Sequence, residues 1–270
     1  MSLNKTRKIQ GGGIPKIIHQ IWIGDNTIPE EWIKTVRDFA YKYHYKYKLW
    51  TESTIDSLNW NLIKGMKTAY NTFKLKRSFA GCGDIIRLLA LYEFGGIYID
   101  ADSVIIKPSR FNQFLRENKA RVFFGWQHEH PAGNKFIYND SMPEIRTAKK
   151  LIANGLIGSI KSHPFIKEAL EGIPERIKNA SESVKTHPMM AWYCAGPLYI
   201  SRVYFSYKHK SPDIKIYPTK YFYPIKWNNI TDPSLHKKIK IPGESMLFQY
   251  GYSTNRFWMY FNNCTAKHRS

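Results

Sequence analysis

Two aspartates separated by a single residue, Asp100 and Asp102, close the stretch "FGGIYIDAD", and an acid and a base, Asp84 and Arg87, stand three positions apart upstream of it. Side chains two residues apart project to the same side of a chain that stays extended, so Asp100 and Asp102 offer two hard oxygen donors to one point. Their mutual repulsion favours a bound cation or a raised pKa. A divalent ion such as Mn2+ or Mg2+ takes one or two protein carboxylates and fills its other positions with phosphate oxygens and water. The plain alternative is a pair of exposed acids in a turn, since Asp-x-Asp occurs by chance in many chains. Asp84 and Arg87 have the spacing of an intrahelical ion pair, with Asp84 as an N-cap or first-turn acid.

The elements around these residues read as follows. Asp84 to Phe94 is apolar over most of a helical surface, through Ile85, Ile86, Leu88, Leu89, Leu91 and Tyr92, which predicts a buried helix. Gly95 and Gly96 end it, and Ile97 to Ile99 form a short buried strand. In open α/β sheets, ligands bind outside the carboxyl ends of strands, where Asp100 and Asp102 fall. Upstream, Ile14–Gly24 reads as a first strand and "DNTIPEEWIKTVRDFA" as a helix opened by Pro29, with Trp32, Val36 and Phe39 at helical spacing. "YKYHYKYKLW" alternates with period two, as a strand with an aromatic face or as a basic–aromatic stripe for single-stranded nucleic acid. Helices are expected over Thr54–Lys64 and Met66–Lys76. Downstream, "RVFFGWQ" reads as a strand, "MPEIRTAKKLIANG" and "HPFIKEALEGIPERI" as helices, and "AGPLYISRVYF" and "KIYPTKYFYPI" as late strands and loops. The order predicts an α/β fold, a mostly parallel sheet with helices on both faces. Residues 1–13 read as a flexible basic tail and 14–270 as a single domain.

Composition narrows the partners. The 270 residues are 43% hydrophobic and 15% aromatic, enough for a large core. Forty-one Lys and Arg against 21 Asp and Glu give a formal charge of +20, which favours polyanionic company without choosing among nucleic acid, acidic lipid and phosphorylated substrates. Much of it reads as a solvated lysine surface. Cys82, Cys194 and Cys264 form no disulfide or zinc pattern, which points to a reducing compartment, the cytoplasm. His128, His130 and His163 fit loop or packing positions, because "HEH" lacks the spacing of a zinc pair. The N-terminal residues lack a signal-peptide core, and no run of 18 apolar residues is present to span a membrane.

Taken together, "IPKIIHQIWIG", "DIIRLLALYEFGGIYIDADSVIIKP" and "NGLIGSIKSHPF" resemble glycosyltransferase family 32, and the chain is similar to the catalytic domain of the large clostridial glucosylating toxins. The resemblance is strongest over residues 14–108 and weaker to about residue 200. It implies the GT-A fold, a Rossmann-like nucleotide-sugar-binding sheet, and retaining transfer of a hexose with Mn2+ or Mg2+. The donor it implies is a nucleotide sugar, a UDP-hexose or alternatively a GDP-sugar. The acceptor would be a hydroxyl of a saccharide, glycan or protein, of anionic character given the basic surface. By the same resemblance Asp100 touches ribose, donor sugar and metal-bound water, Asp102 ligates the metal, and Asp84 and Arg87 bind sugar hydroxyls. Trp22 brackets the nucleobase, Gly24 lets the backbone approach the nucleotide, and Ile21, Tyr98 and Ala101 complete the donor site.

The family commonly closes its site with a histidine before a Ser-Trp pair, whereas here the stretch is "LFQYGYSTNRFW". Ser253 and Trp258 are the candidates for the diphosphate, Asn255 for the metal, and Arg256 could offset diphosphate charge. No specific nucleic-acid partner is expected, and the protein reads as a monomer or weak oligomer. Two other classes remain open: a haloacid dehalogenase-type phosphatase, which also sets Asp-x-Asp after an apolar strand, and a non-enzymatic basic nucleic-acid-binding module.

Overall fold

The first strand, β1 (Ile17–Ile21), is buried along nearly all its length and sits one place from the edge of the main sheet. This is a computed structural model, and it describes residues 12–128, 151–187, 190–207, 213–225 and 240–251. Helix α1 (Glu30–Lys42) follows, with Glu30 and Glu31 in its first turn and Lys42 in its last, signs that suit the helix dipole. Its stripe of Trp32, Ile33, Val36, Phe39 and Ala40 is buried. The helix absorbs the first part of the Tyr/Lys alternation: residues 41 and 42 are its last turn, His44 takes φ +58 in the reversal, and only Lys46–Trp50 forms strand β2. The period-two pattern across residues 41–50 therefore spans two elements. Tyr43 packs its ring on Phe39 at 4.9 Å, while Tyr41 is exposed.

Thr54–Lys64 is also corrected. It forms two 3-10 turns, Ile55–Ser57 and Trp60–Leu62, rather than a helix. Side chains there bond to nearby backbone: Thr51 N–H donates to Thr54 Oγ1, Ser57 Oγ to Thr54 O, and Asn61 N–H to Asn59 Oδ1. Such local bonds compete with a helical ladder. Helix α2 (Met66–Leu75) is as expected. Helix α3 (Phe79–Phe94) starts before Asp84, so Asp84 lies in the helix interior and is not a cap. It ends at Gly95, and Gly96 opens β3 (Gly96–Ile99). Gly96 has φ +109, and a Cβ there would lie 2.5 Å from the Ile17 carbonyl oxygen, so only glycine lets β3 leave the helix this close to β1.

The chain continues through β4 (Ser103–Ile105), α4 (Pro108–Glu117), β5 (Val122–His128) and β6 (Leu151–Ser159). Then come α5 (Pro164–Lys178), α6 (Glu182–Thr186), α7 (Met190–Cys194), α8 (Pro197–Ser206), β7 (Ile214–Tyr217), α9 (Thr219–Phe222) and β8 (Leu247–Gln249). "LIANG" begins a strand, not the end of a helix, and residues 142–150 of that expected helix lie outside the described residues. Every residue of β6 is buried, and a run buried on both faces carries no period to separate strand from helix. "PLYISRVYFS" is likewise a helix where a strand was expected, with Pro197 at its first turn.

The main sheet has the order β2-β1-β3-β6-β5-β7, with β6 the one antiparallel member among the described strands, and β4 pairs with β8 beside it. Alternate strand residues face two cores. Tyr98, Phe124 and Ile157 pack with α2, α3 and α5, whereas Ile97, Ile99, Phe123 and Leu156 pack with α1, α4 and α9. The expected α/β class, with a mostly parallel sheet flanked on both faces, is what the chain forms. Cys82 and Cys194 are buried free thiols, and burial pushes Cys82 up to about 12. Among the described residues no helix is long and apolar enough to cross a membrane.

Candidate active site

Helix α3 is buried on every side from Gly81 to Leu91, yet it carries Asp84 and Arg87 within that buried length. Neither charge can stay inside unpaired, so each must find partners among the elements that cover the helix. The Arg87 guanidinium lies 3.1 Å from Asp84 Oδ1 and 3.2 Å from Asp100 Oδ1, so it ties the helix to the end of β3. It also donates to the Asn154 carbonyl oxygen at 2.6 Å and to the Gly83 carbonyl oxygen at 3.3 Å. Its plane stands 4.5 Å from the centre of the Tyr98 ring.

Asp84 is held a second time by Asn154, whose Nδ2 donates at 2.8 Å. Burial pushes the Asp84 carboxyl up to about 6, opposed by Arg87 and reinforced by the negative charge of Asp100. The Tyr98 hydroxyl donates to Asp100 Oδ1 at 2.5 Å, and burial holds that phenol well above its usual range. Tyr223 joins the cluster, its pKa raised by burial and by Asp100.

The backbone of Asp100 is fixed from both sides. Its N–H donates to the Gly155 carbonyl oxygen at 2.8 Å, and its own carbonyl accepts from Gln20 Nε2 at 3.2 Å. Gln20 is oriented in turn by the Tyr47 hydroxyl at 2.8 Å, a chain running from β2 through β1 to β3. Gly155 is required by space, since a Cβ there would lie 2.6 Å from Asp100 Oδ2.

Between the two aspartates the chain turns, with Ser103 N–H donating to the Asp100 carbonyl oxygen at 3.0 Å, so the expectation of an extended Asp100–Asp102 segment is corrected. The carboxylates converge nonetheless. Gln249 on β8 donates its Nε2 to Asp100 Oδ2 at 2.6 Å and to Asp102 Oδ1 at 3.3 Å. One electropositive group thus lies within reach of both acids, at the carboxyl end of a central strand. A hard divalent cation suits the same two oxygens, so the donor set fits the metal that the resemblance implies. Among the described residues no group of three or more His, Cys, Asp and Glu converges on one point, which leaves the two carboxylates as the charged donors.

Of the other expected site residues, those that are described end or follow β1 or flank Asp100. β1 runs parallel to β3, with Ile18 opposite Ile97 and His19 opposite Tyr98, so Ile21 and Trp22 leave β1 on the side where Asp100 leaves β3. The side chain of Ile21 belongs to the core, and Trp22, half-buried, donates its ring N–H to the Asn26 carbonyl oxygen at 2.8 Å. Gly24 has φ +98 and faces Phe79, which gives this glycine a local reason of its own. Ala101 is buried. Ser253, Asn255, Arg256 and Trp258 lie outside the described residues. Sequence reasoning missed Gln20, Asn154, Gly155, Tyr223 and Gln249. An Asn-Gly pair inside an apolar strand and a lone glutamine inside "LFQY" were the available signals, since a glycine within a strand marks close approach.

Residues 28–121 match the family described as "Glycosyltransferase sugar-binding region containing DXD motif", a span that holds Asp84, Arg87, Asp100 and Asp102. The chain is similar to inositol phosphoceramide mannosyltransferase 3 of Schizosaccharomyces pombe, 27% identical over 76% of this chain and 48% of the relative. It is similar to mannosyl phosphorylinositol ceramide synthase CSH1 of Saccharomyces cerevisiae, 29% identical over 73% of this chain and 44% of the relative. The chain thus spans about half the length of the curated relatives it matches. Among solved structures it superposes on PaToxG glycosyltransferase with TM-score 0.48 and 20% identity, covering 71% of this chain and 69% of the other. Over residues 28–121 the chain is thus similar to the glycosyltransferases that share the DXD-containing sugar-binding region.

Proposed function

We propose that the chain is a metal-dependent glycosyltransferase that moves a hexosyl group from a nucleoside diphosphate sugar to an acceptor hydroxyl. The observation that carries the reading is the convergence of Asp100 and Asp102 on one point at the tip of β3, with Arg87 bracing Asp100 from behind. Asp102 and Asp100 would hold Mn2+ or Mg2+, which supplies positive charge to the departing diphosphate as a Lewis acid. Arg87 keeps the Asp100 carboxylate aimed, and with Asp84 it presents polar edges toward the donor sugar. Trp22 and the backbone from Ile21 to Gly24 stand where the nucleobase would lie. The acceptor hydroxyl attacks the anomeric carbon on the face the nucleotide leaves, and its proton passes to a diphosphate oxygen, so configuration is retained.

The names of the relatives support mannose as the sugar and a phosphorylated lipid headgroup as the acceptor class. The formal charge of +20 suits such an anionic acceptor. The lysines do not gather into one arm: Lys34, Lys67, Lys74, Lys167, Lys185 and Lys220 each pair with a nearby acid. That distribution favours the enzyme over a nucleic-acid-binding module. The direct test is thermal unfolding with a panel of UDP- and GDP-hexoses, each with and without Mn2+. A ligand held only by the folded chain adds about 2.7 kcal/mol at a hundredfold over its Kd, so one donor should raise the melting temperature when Mn2+ is present. A rise with DNA, and with no nucleotide sugar, would overturn the reading.

A further inference from the structure

Gln249 bridges the two carboxylates that the proposed function assigns to a cation. It projects from β8 in the register that sets it opposite Ser103, and its Nε2 bridges Asp100 Oδ2 at 2.6 Å and Asp102 Oδ1 at 3.3 Å. Between two acceptors only the amino end of an amide fits, because it carries two donors and the carbonyl end carries none. An amino group and a divalent ion cannot share that point.

The other end of the same side chain is a neutral hard oxygen, of the kind that oxygen-liganded cations take from glutamine and asparagine. The last torsion of glutamine is broad and roughly two-fold, so half a turn exchanges Nε2 for Oε1 without moving the backbone. The backbone here is held: β8 pairs with β4 from Leu247 to Gln249, and just beyond it Tyr250 N–H donates to the Asp102 carbonyl oxygen at 2.9 Å. Space for the rotation comes from Gly155, where a Cβ would stand 3.2 Å from Gln249 Nε2.

We propose that Gln249 is a two-ended part of the metal site: its amino group clamps Asp100 and Asp102 together when no ion is bound, and its carbonyl oxygen joins them as a ligand when one is. The inference rests on the reading of Asp100 and Asp102 as metal ligands and deepens it by naming a further protein donor. Two carboxylates and one neutral amide leave a site charge that a divalent ion cancels. A glutamate at position 249 would overshoot, binding the ion more tightly and, without it, crowding three like charges.

The test measures Mn2+ binding to the full chain from the spin-resonance signal of free Mn2+, with no nucleotide sugar present. Gln249→Ala and Gln249→Met, the second filling the same space without an oxygen, should each weaken Mn2+ binding by about tenfold or more, the scale on which even outer partners of metal sites act. Gln249→Glu should bind Mn2+ more tightly than the unmodified chain and should melt lower than it when Mn2+ is removed. If Gln249→Met binds Mn2+ as tightly as the unmodified chain, or more tightly, Gln249 is only a clamp that competes with the ion, and the proposal fails. Asp102→Asn separates the two layers. If it keeps full Mn2+ affinity, the metal reading itself is wrong; if it loses the ion while Gln249→Met does not, only the role of Gln249 falls.

Discussion

Replacing Arg87 with methionine tests the electrostatic frame of the site, because methionine keeps much of the stem volume and removes the charge. In the native fold the guanidinium lies within 3.1 Å of Asp84 and 3.2 Å of Asp100, and the Asp84 and Arg87 side chains are only 7% and 9% exposed. Removing one partner of a buried pair costs about 3–5 kcal/mol, since the other charge is left stranded. Asp84 is already strained in this sense. Its rise from 3.8 to about 6 corresponds to about 3 kcal/mol at roughly 1.4 kcal/mol per pH unit.

Without Arg87 the Asp84 carboxyl must rise further. A carboxylate whose folded pKa exceeds its unfolded value destabilises the fold in its ionised form, fully so above the folded pKa and not below the unfolded one. Arg87→Met should therefore trail the unmodified chain by about 3–5 kcal/mol near pH 8, and the gap should narrow on acidification toward about pH 5 as Asp84 protonates. His19 titrates in both proteins and so cancels in their difference. The double variant Arg87→Met/Asp84→Asn should recover part of the loss near pH 8 and show a flatter gap. Urea unfolding across this pH range is the assay. A loss below about 1 kcal/mol, the range of exposed pairs, or a gap that does not change with pH would refute the reasoning.

His19 gives a pH effect of opposite sign. Its Nε2–H donates to the Gly95 carbonyl oxygen at 2.9 Å and its Nδ1 accepts from the Trp50 ring N–H at 3.2 Å, so the neutral ring is fully used. Burial lowers its pKa from 6.5 to about 4, so its contribution is complete above 6.5 and is lost as pH falls toward 4, about 3 kcal/mol in all. A His19→Leu variant should lack this loss when unfolding is followed against pH. Gly155→Ala would place a methyl group 2.6 Å from Asp100 Oδ2 and should displace that carboxylate. A stability cost of about 1–3 kcal/mol and a fall in Mn2+ affinity of about tenfold are expected, by unfolding and by ion titration. Unchanged Mn2+ binding would show that Asp100 does not need this close approach.

The site was legible where chemistry and spacing coincide in a short stretch. Asp84, Arg87, Asp100 and Asp102 lie within one helix–turn–strand unit, and the Gly95–Gly96 break announces the unit's geometry. Asn154 and Gln249 reach the same cluster from distant parts of the chain, and nothing local to either predicts a long-range contact. Asp84 lies inside α3 and not at an N-cap or in its first turn, because the glycines at 81 and 83 mask where the helix begins. The fold misreadings have a similar origin. β6 is buried on both faces and shows no period that separates strand from helix, α8 is rich in the β-branched and aromatic residues Tyr199, Ile200, Val203, Tyr204 and Phe205 that read as a strand, and the polar turns at 54–64 satisfy their backbone through side chains instead of a helical ladder.

Release of nucleoside diphosphate from a nucleotide sugar, followed for the unmodified chain and for Asp102→Asn with Mn2+ and after its chelation, tests the central claim most directly. Activity that needs the ion and disappears in Asp102→Asn, while both proteins melt at similar temperatures, is the result expected. Equal activity in the two proteins, or activity indifferent to chelation, would place the chemistry somewhere other than the tip of β3.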